Sequence, residues 1–309
     1  MVDVIIPTYN NYLELKRCLL ALSTQTMKDF TVWIAVDGSE DMTLQELSNV
    51  ISSLSFEAHI LEHPDKQNRG RSSARNLALP FIKNPFIWFL DSDMIPEPSC
   101  LQAHLNICTQ YKNSVSVGAV FYLNANTNLW AKYIATRGHV KFKHLNLLPW
   151  NYFITANSLV PTEYFVQLNG FDENIKKYGG EDMELAYRMF LKYSPSFYKN
   201  DLARCSTIQN KTLSQALMQL EEYGREGLPY IYQKHPLMPY VYLLDKLHGN
   251  PLKRIGYQFL TNPLWSKFFL PCLNYFPFAI NQKIINYLVI SSIFKGYLCS
   301  KQNLNENLL

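Results

Sequence analysis

The sequence predicts an α/β fold, a doubly wound and mostly parallel sheet followed by a helical appendage. Three observations predict it. Strand and helix signals alternate through the first 125 residues, an order that implies right-handed crossovers between parallel strands. The strand-like runs, such as Phe86–Leu90, are nearly continuously apolar, as strands buried on both faces are. Apolar residues make up 48% of 309, enough for a sizeable core and too many for wholesale disorder.

In order, residues 2–6 read as a strand and 11–22 as a helix with Leu15, Cys18, Leu19 and Leu22 on one stripe. Residues 30–36 read as a strand, 44–54 as a helix, 58–61 as a short strand, 72–82 as a helix opened by serines, and 86–90 as a buried strand. Further on, 115–122 and 152–160 are strand-like. Residues 128–140, 161–168, 181–192 and 212–226 are helical, the third group of four opening on Glu181 and the second on a tolerated first-turn proline. Beyond Pro229 the chain becomes short aromatic stretches punctuated by proline. The expected organisation is one domain over residues 1–227 and an aromatic, basic helical region over 228–309.

The net charge of +4 is too mild to argue for nucleic acid. It is unevenly placed. Residues 1–209 carry 19 basic and 20 acidic groups, and 210–309 carry 10 and 5. The six cysteines show no CxxC pair and no metal-ligand spacing, which reads as a reduced, cytosolic chain. No basic n-region stands ahead of the strand-like run that opens at Val2, so no signal peptide is expected. The longest late apolar run, 284–294, is far short of the roughly 20 residues of a membrane span.

Chemistry concentrates where the predicted strands end. Asp91-Ser92-Asp93 directly follows the strand 86–90. Two carboxylates at i and i+2 there repel unless a cation lies between them, and oxygen-only ligation suits Mg²⁺ or Mn²⁺. A solvated turn is the alternative reading. Pro7-Thr8-Tyr9-Asn10 and Asp37-Gly38-Ser39 close earlier strands, and Gly70-Arg71-Ser72-Ser73-Ala74-Arg75-Asn76 opens a helix whose serines and arginines suit a diphosphate. In a parallel sheet all of these loops open on one edge, where ligands of such folds sit. Gly179-Gly180-Glu181-Asp182 starts a later helix. Its glycines suit a close approach of backbone to ligand. Asp182 shares a stripe with Leu185, Ala186 and Met189, so it should face inward, and the helix dipole should keep it ionised as a general base.

These stretches, with Gly170-Phe171-Asp172-Glu173, resemble a family 2 glycosyltransferase over roughly residues 2–227. The Gly-Gly-Glu-Asp block also resembles a galactosyltransferase-type C-terminal motif. The resemblance implies the GT-A (Rossmann-like) fold, a mostly parallel central sheet flanked by helices with a C-terminal helical appendage. It implies an inverting transfer from a nucleotide-diphosphate sugar, UDP being the expected carrier, to a hydroxyl of a glycan or lipid-linked acceptor in envelope or capsular polysaccharide synthesis. Thr8, Tyr9 and Asp37 would line the base, with Asp37 accepting from its N–H. Gly70 and Arg75 would lie beside nucleoside and phosphates, Asp91 would contact ribose, and Asp93 would ligate Mn²⁺ or Mg²⁺. Asp182 would be the general base, with Gly180, Glu181 and Asn157 near the donor sugar or acceptor.

Two departures stand out. Val36 replaces the first acid of the usual Asp-Asp-Gly-Ser, and residues 202–208 lack the histidine that many relatives supply to the metal, His235 being the nearest later one. A nucleotide-sugar-binding module without turnover is one alternative. A sugar nucleotidyltransferase is another, disfavoured because no glycine-rich loop follows the first strand. In the C-terminal region, Trp265, Phe268, Phe269, Tyr275, Phe276, Phe278, Tyr287 and Phe294 interleave with Lys253, Arg254, Lys267, Lys283 and Lys295. Two readings stand: a surface peripheral on the inner face of a membrane, or a helical cap packed on the sheet.

Overall fold

A computed structural model describes residues 1–41, 43–238, 255–256, 259, 262–273 and 275–306. Of the residues singled out above, Lys253 and Arg254 lie outside the described ones. The chain forms two compact units, Met1–Lys176 with Glu181–Gln209, and Lys177–Gly180 with Asn210–Leu309.

The first unit opens with the expected alternation: β1 (Val2–Thr8), α1 (Tyr12–Ser23), β2 (Phe30–Val36), α2 (Thr43–Ile51), β3 (Glu57–Glu62), α3 (Arg71–Asn76) and β4 (Phe86–Leu90). β1 is buried along its whole length and β2 and β4 along nearly all of theirs, which is why their sequences do not alternate in polarity. The four strands pair in parallel as β3-β2-β1-β4, with Val4 opposite both Val32 and Trp88. The four stripe residues of α1 are buried against this sheet. α3 ends at Asn76, earlier than expected. Pro80 lies four residues on, where its ring would meet the Asn76 carbonyl of a continuing helix.

β5 (Ile95–Pro96), α4 (Cys100–Gln110), β6 (Ser114–Tyr122), α5 (Leu129–Ile134), β7 (Leu147–Leu148), β8 (Asn157–Pro161), α6 (Thr162–Gln167), α7 (Glu181–Tyr193) and β9 (Ser196–Thr207) complete this unit. The sheet runs β3-β2-β1-β4-β8-β6-β9-β5, with β7 on β9. β8 is antiparallel to both β4 and β6, and β9 is parallel to β6. The parallel half is therefore joined to a mixed half through β8. The C-terminal ends of β1, β2, β3, β4 and β9 and the N-terminal end of β8 consequently share one edge.

In the second unit, α8 (Leu213–Glu222) begins with a capping box between Thr212 and Gln215. A π-helical turn (Tyr223–Gly227) follows, then α9 (Leu228–Lys234), α10 (Pro263–Cys272) and the long α11 (Phe278–Glu306). This unit takes in residues 210–227 as well as the C-terminal region. α8 and the π turn pack on α11, the backbone at Gly224 touching Ile293 and that at Gly296 touching Glu221, with Lys295 Nζ 2.7 Å from Glu221 Oε2. Close backbone contacts thus tie residues 213–227 to the C-terminal helix within this unit.

Candidate active site

At the end of β2, Asp37 is buried, and its carboxylate accepts hydrogen bonds from the backbone N–H groups of Arg69 (2.7 Å) and Gly70 (2.9 Å). It thereby ties down the loop after β3. Gly70 adopts φ +91°, and a Cβ there would lie 2.5 Å from the Lys176 carbonyl oxygen, so only glycine lets its amide reach Asp37. Asp37 is thus the support of this loop. His63, buried after β3 and not anticipated from sequence, brings Nε2 within 3.5 Å of Asp37 Oδ1. Thr8 is buried with its hydroxyl lacking a hydrogen-bond partner, while Tyr9 beside it is exposed. Asn11 Nδ2 donates to Ser92 Oγ at 3.0 Å, joining the loop after β1 to the loop after β4.

Arg75 lies on α3, buried, with its guanidinium carbon 5.3 Å from the centre of the Phe171 ring. Nη2 donates to Asp91 Oδ1 at 2.7 Å, whereas Nε and Nη1 are buried without partners. Two unpaired cationic donors in one buried side chain are costly unless a ligand meets them. The serines of the same helix do not face a diphosphate. Ser72 donates to the Ile175 carbonyl and Ser73 to Glu173, and Asn76 bonds both Phe171 backbone and Glu173. The 170–173 motif is thus the bracket that fixes α3, and Arg75 with it.

Asp93 follows at the same edge. The Thr207 hydroxyl, at the end of β9, donates to its Oδ2 at 3.1 Å. Burial, and then the charge of Asp91, push the Asp93 carboxyl up to about 6, against that hydrogen bond and the charge of Arg71. Asp182 sits in the first turn of α7, partly buried and inward-facing as its stripe requires. Thr155 donates to it twice, through its hydroxyl (2.7 Å to Oδ1) and its backbone N–H (3.1 Å to Oδ2). Its carboxyl too is pushed up to about 6, by burial first and the charge of Glu181 second, with Arg75 and Thr155 opposing and Asp91 adding to the rise. The direction is upward, whereas the helix dipole alone is expected to favour the ionised form. Glu181 is buried 3.9 Å from Arg71, with Oε2 unpartnered.

Two expected site residues are structural. Asn157 is fully buried. Its Oδ1 accepts from Trp88 Nε1 (3.0 Å) and bonds His104 Nε2 (2.9 Å), while Nδ2 donates to the carbonyls of Ala203 (2.9 Å) and Ala119 (3.3 Å). Every polar atom is taken, so it offers nothing to a sugar. Gly180, at φ +96°, makes room for protein rather than ligand. A Cβ there would stand 2.5 Å from Ile231 Cδ1 and 2.9 Å from Tyr223 Cε2, all within the second unit.

The donor set at the β4 end fits a hard divalent cation. Asp91 and Asp93 follow the strand two residues apart, and the Asp91 charge adds to the cost of ionising Asp93, which a cation relieves. No cluster of three or more His, Cys, Asp or Glu ligands occurs among the described residues.

The family model described as glycosyl transferase family 2 matches residues 3–166, and that described as the N-terminal domain of galactosyltransferase matches residues 136–211. The chain is 26% identical over 237 residues to the uncharacterized glycosyltransferase YfnE of Bacillus subtilis, covering 60% of this chain and 59% of that one. It is 22% identical to the chondroitin synthase of Escherichia coli, over 91% of this chain and 45% of that one. It is 28% identical to the validoxylamine A glucosyltransferase of Streptomyces hygroscopicus, over 61% and 51%. The chain thus spans about half the length of these curated relatives. Among solved structures it resembles the mannosyltransferase PcManGT from Pyrobaculum calidifontis in complex with GDP-Man and Mn²⁺, with TM-score 0.62 at 15% identity, over 95% of this chain and 86% of that one. It also resembles S. aureus TarS 1–349 in complex with UDP-GlcNAc, with TM-score 0.56 at 16% identity, over 99% and 92%. The fold is GT-A, a nine-stranded mixed α/β sheet flanked by helices.

Proposed function

Because the chain belongs to glycosyl transferase family 2, whose model matches more than half of it, we propose that it moves a sugar from a nucleotide-diphosphate donor, UDP in the first instance, to a hydroxyl of a glycan or lipid-linked acceptor, with inversion at the anomeric carbon. The observation that carries this reading is the gathering of Asp91, Asp93, Arg75 and Asp182 at one sheet edge. Asp91 bonds Arg75, and its charge bears on both Asp93 and Asp182. The names of the relatives, chondroitin synthase among them, support a place in envelope or capsular polysaccharide synthesis.

Thr8, Tyr9 and the loop held by Asp37 receive the nucleoside. Asp91 takes the ribose hydroxyls while remaining paired with Arg75, whose two free donors point to the diphosphate. Asp93, with water and diphosphate oxygens completing the shell, would hold Mn²⁺ or Mg²⁺. When bound, the cation neutralises the charge that grows on the departing diphosphate. Asp182 accepts the proton of the acceptor hydroxyl as the oxygen attacks the anomeric carbon from the face opposite the leaving group, so an α-linked donor gives a β-linked product. With its pKa raised to about 6, Asp182 is a stronger base than an ordinary carboxylate. Thr155 aims its oxygens, and Glu181 Oε2 is free to accept from a sugar hydroxyl.

A panel of nucleotide sugars supplied with Mn²⁺ or Mg²⁺ tests this, read by release of nucleoside diphosphate and by the anomeric configuration of the product. Consumption of one donor with inversion supports it; a panel neither bound nor turned over removes it. The missing histidine in residues 202–208 favours a second reading, a binding module without turnover. That reading expects donor binding with no diphosphate released.

A further inference from the structure

The exposed end of the C-terminal helical pair carries an inference that stands independently of the catalytic reading. α10 packs on α11 through Phe269, whose ring meets that of Tyr287 edge-on at 5.4 Å. The connecting turn buries Leu273, and Asn281 Nδ2 fixes it by donating to the Leu273 (2.8 Å) and Phe276 (2.9 Å) carbonyls. With the inner side satisfied, large apolar side chains project outward. Leu264 is 69% exposed, Phe268 62% and Tyr275 84%, with Phe276 and Ile280 also exposed. Trp265 stacks beside Phe269 and donates through Nε1 to the Phe259 carbonyl at 3.0 Å, so its ring is held at the surface rather than folded in. Apolar side chains grouped on a rigid turn mark an interaction site, unlike scattered ones.

The charge around this face names the occupant. Lys267 lies on the outward stripe of α10 between Leu264 and Phe268, and Lys283 is exposed one turn after Ile280. After Asp245 the sequence has one acid, Glu306, against seven basic residues. An apolar face with aromatic flanks, cationic edges and no acids is complementary to an anionic bilayer surface. No described helix is long and apolar enough to cross a membrane, and α11 runs back along α8 and the π turn with Leu288, Ile293 and Phe294 buried. We propose that the turn between α10 and α11, with Leu264, Phe268, Tyr275, Phe276 and Ile280 inserted and Lys267 and Lys283 at the headgroups, docks this protein on the surface of an anionic lipid bilayer.

The test is co-sedimentation of the full chain with phosphatidylcholine vesicles and with vesicles containing phosphatidylglycerol, without donor or acceptor, so that failure here leaves the catalytic reading untouched. Two lysines near an anionic surface, at about 1 kcal/mol each, give about 30-fold stronger partition to the anionic vesicles. Lys267→Glu with Lys283→Glu should abolish that preference. Leu264→Ser with Phe268→Ser should release the protein from both kinds of vesicle, whereas Leu191→Ser, an exposed apolar residue on α7, should change nothing. All of these positions are exposed, so folding is retained and is checked by thermal melting. The proposal is overturned if the wild-type chain stays in the supernatant with anionic vesicles, or if the serine pair sediments as wild type. It is equally overturned if the face instead pairs two copies, seen as a dimer in vesicle-free solution that the serine pair dissociates.

Discussion

Thr155→Val offers the sharpest probe of Asp182, because it removes one hydroxyl and almost no volume. In the wild-type protein that hydroxyl donates to Asp182 Oδ1 at 2.7 Å, and the Thr155 backbone N–H, which survives the substitution, donates to Oδ2 at 3.1 Å. A hydrogen bond to a charged acceptor is worth about 1.5–3 kcal/mol. At about 1.4 kcal/mol per unit, its loss raises the Asp182 pKa by about 1–2 units. Burial and the Glu181 charge already raise that carboxyl, so the variant should titrate higher still. The rate depends on the ionised form, and the acidic limb of kcat against pH should move up by the same interval. Donor turnover measured from about pH 5 to pH 9 reads this directly. The alkaline plateau should be retained, since a more basic carboxylate is no poorer at taking a proton. An unmoved limb in a variant that melts like wild type would refute the assignment of Asp182 as the titrating base.

Three further outcomes follow from the same geometry. The Asp93 and Asp182 carboxyls lie above their ordinary values in the folded chain, so their contribution to stability is present below about pH 4 and is lost as pH rises through about 6. Mn²⁺ should therefore raise the Tm more at pH 7 than at pH 5, and Asp93→Asn should erase that increment; an equal increment at both pH values contradicts this. Asn157→Leu strands Trp88 Nε1, His104 Nε2 and the Ala203 carbonyl, a loss of at least about 3 kcal/mol and a Tm fall of about 6–12 °C. A raised KM at unchanged Tm would return Asn157 to the ligand site. Gly180→Ala should destabilise by about 1–3 kcal/mol through its positive φ and the clash with Ile231 and Tyr223, and Ile231→Ala in the same chain should recover part of that, as urea unfolding can show.

Much of this was legible in the sequence where burial and chemistry agree. The strands β1, β2 and β4 declare themselves as unbroken apolar runs, and each strand-end acid follows its strand directly. Asp182 could be placed inward from its stripe alone. β9 was not seen because its buried positions include Lys199 and Asn200, whose polar atoms are met by the Phe142 carbonyl, and by the Ala103 carbonyl and Ser116, partners far along the chain. α4 was missed for a similar reason, its buried face carrying His104 and two cysteines. Asn157 enters the expected site only through the family resemblance; the fold reveals the ring of partners that occupies it. Thr155, Thr207 and His63 carry no local signal at all. The glycines of 179–180 read as permitting close approach, but what approaches them is Tyr223 and Ile231, roughly forty and fifty residues on.

The central claim is that one carboxylate performs the proton transfer while others hold the donor. Asp182→Asn keeps the shape of the side chain and removes the base. The measurement is the turnover of the preferred nucleotide sugar in the presence of Mn²⁺, alongside the donor Kd by calorimetry. The account predicts a fall in kcat of about 10²–10⁴-fold with the donor Kd unchanged. Turnover equal to wild type at unaltered donor affinity would contradict it.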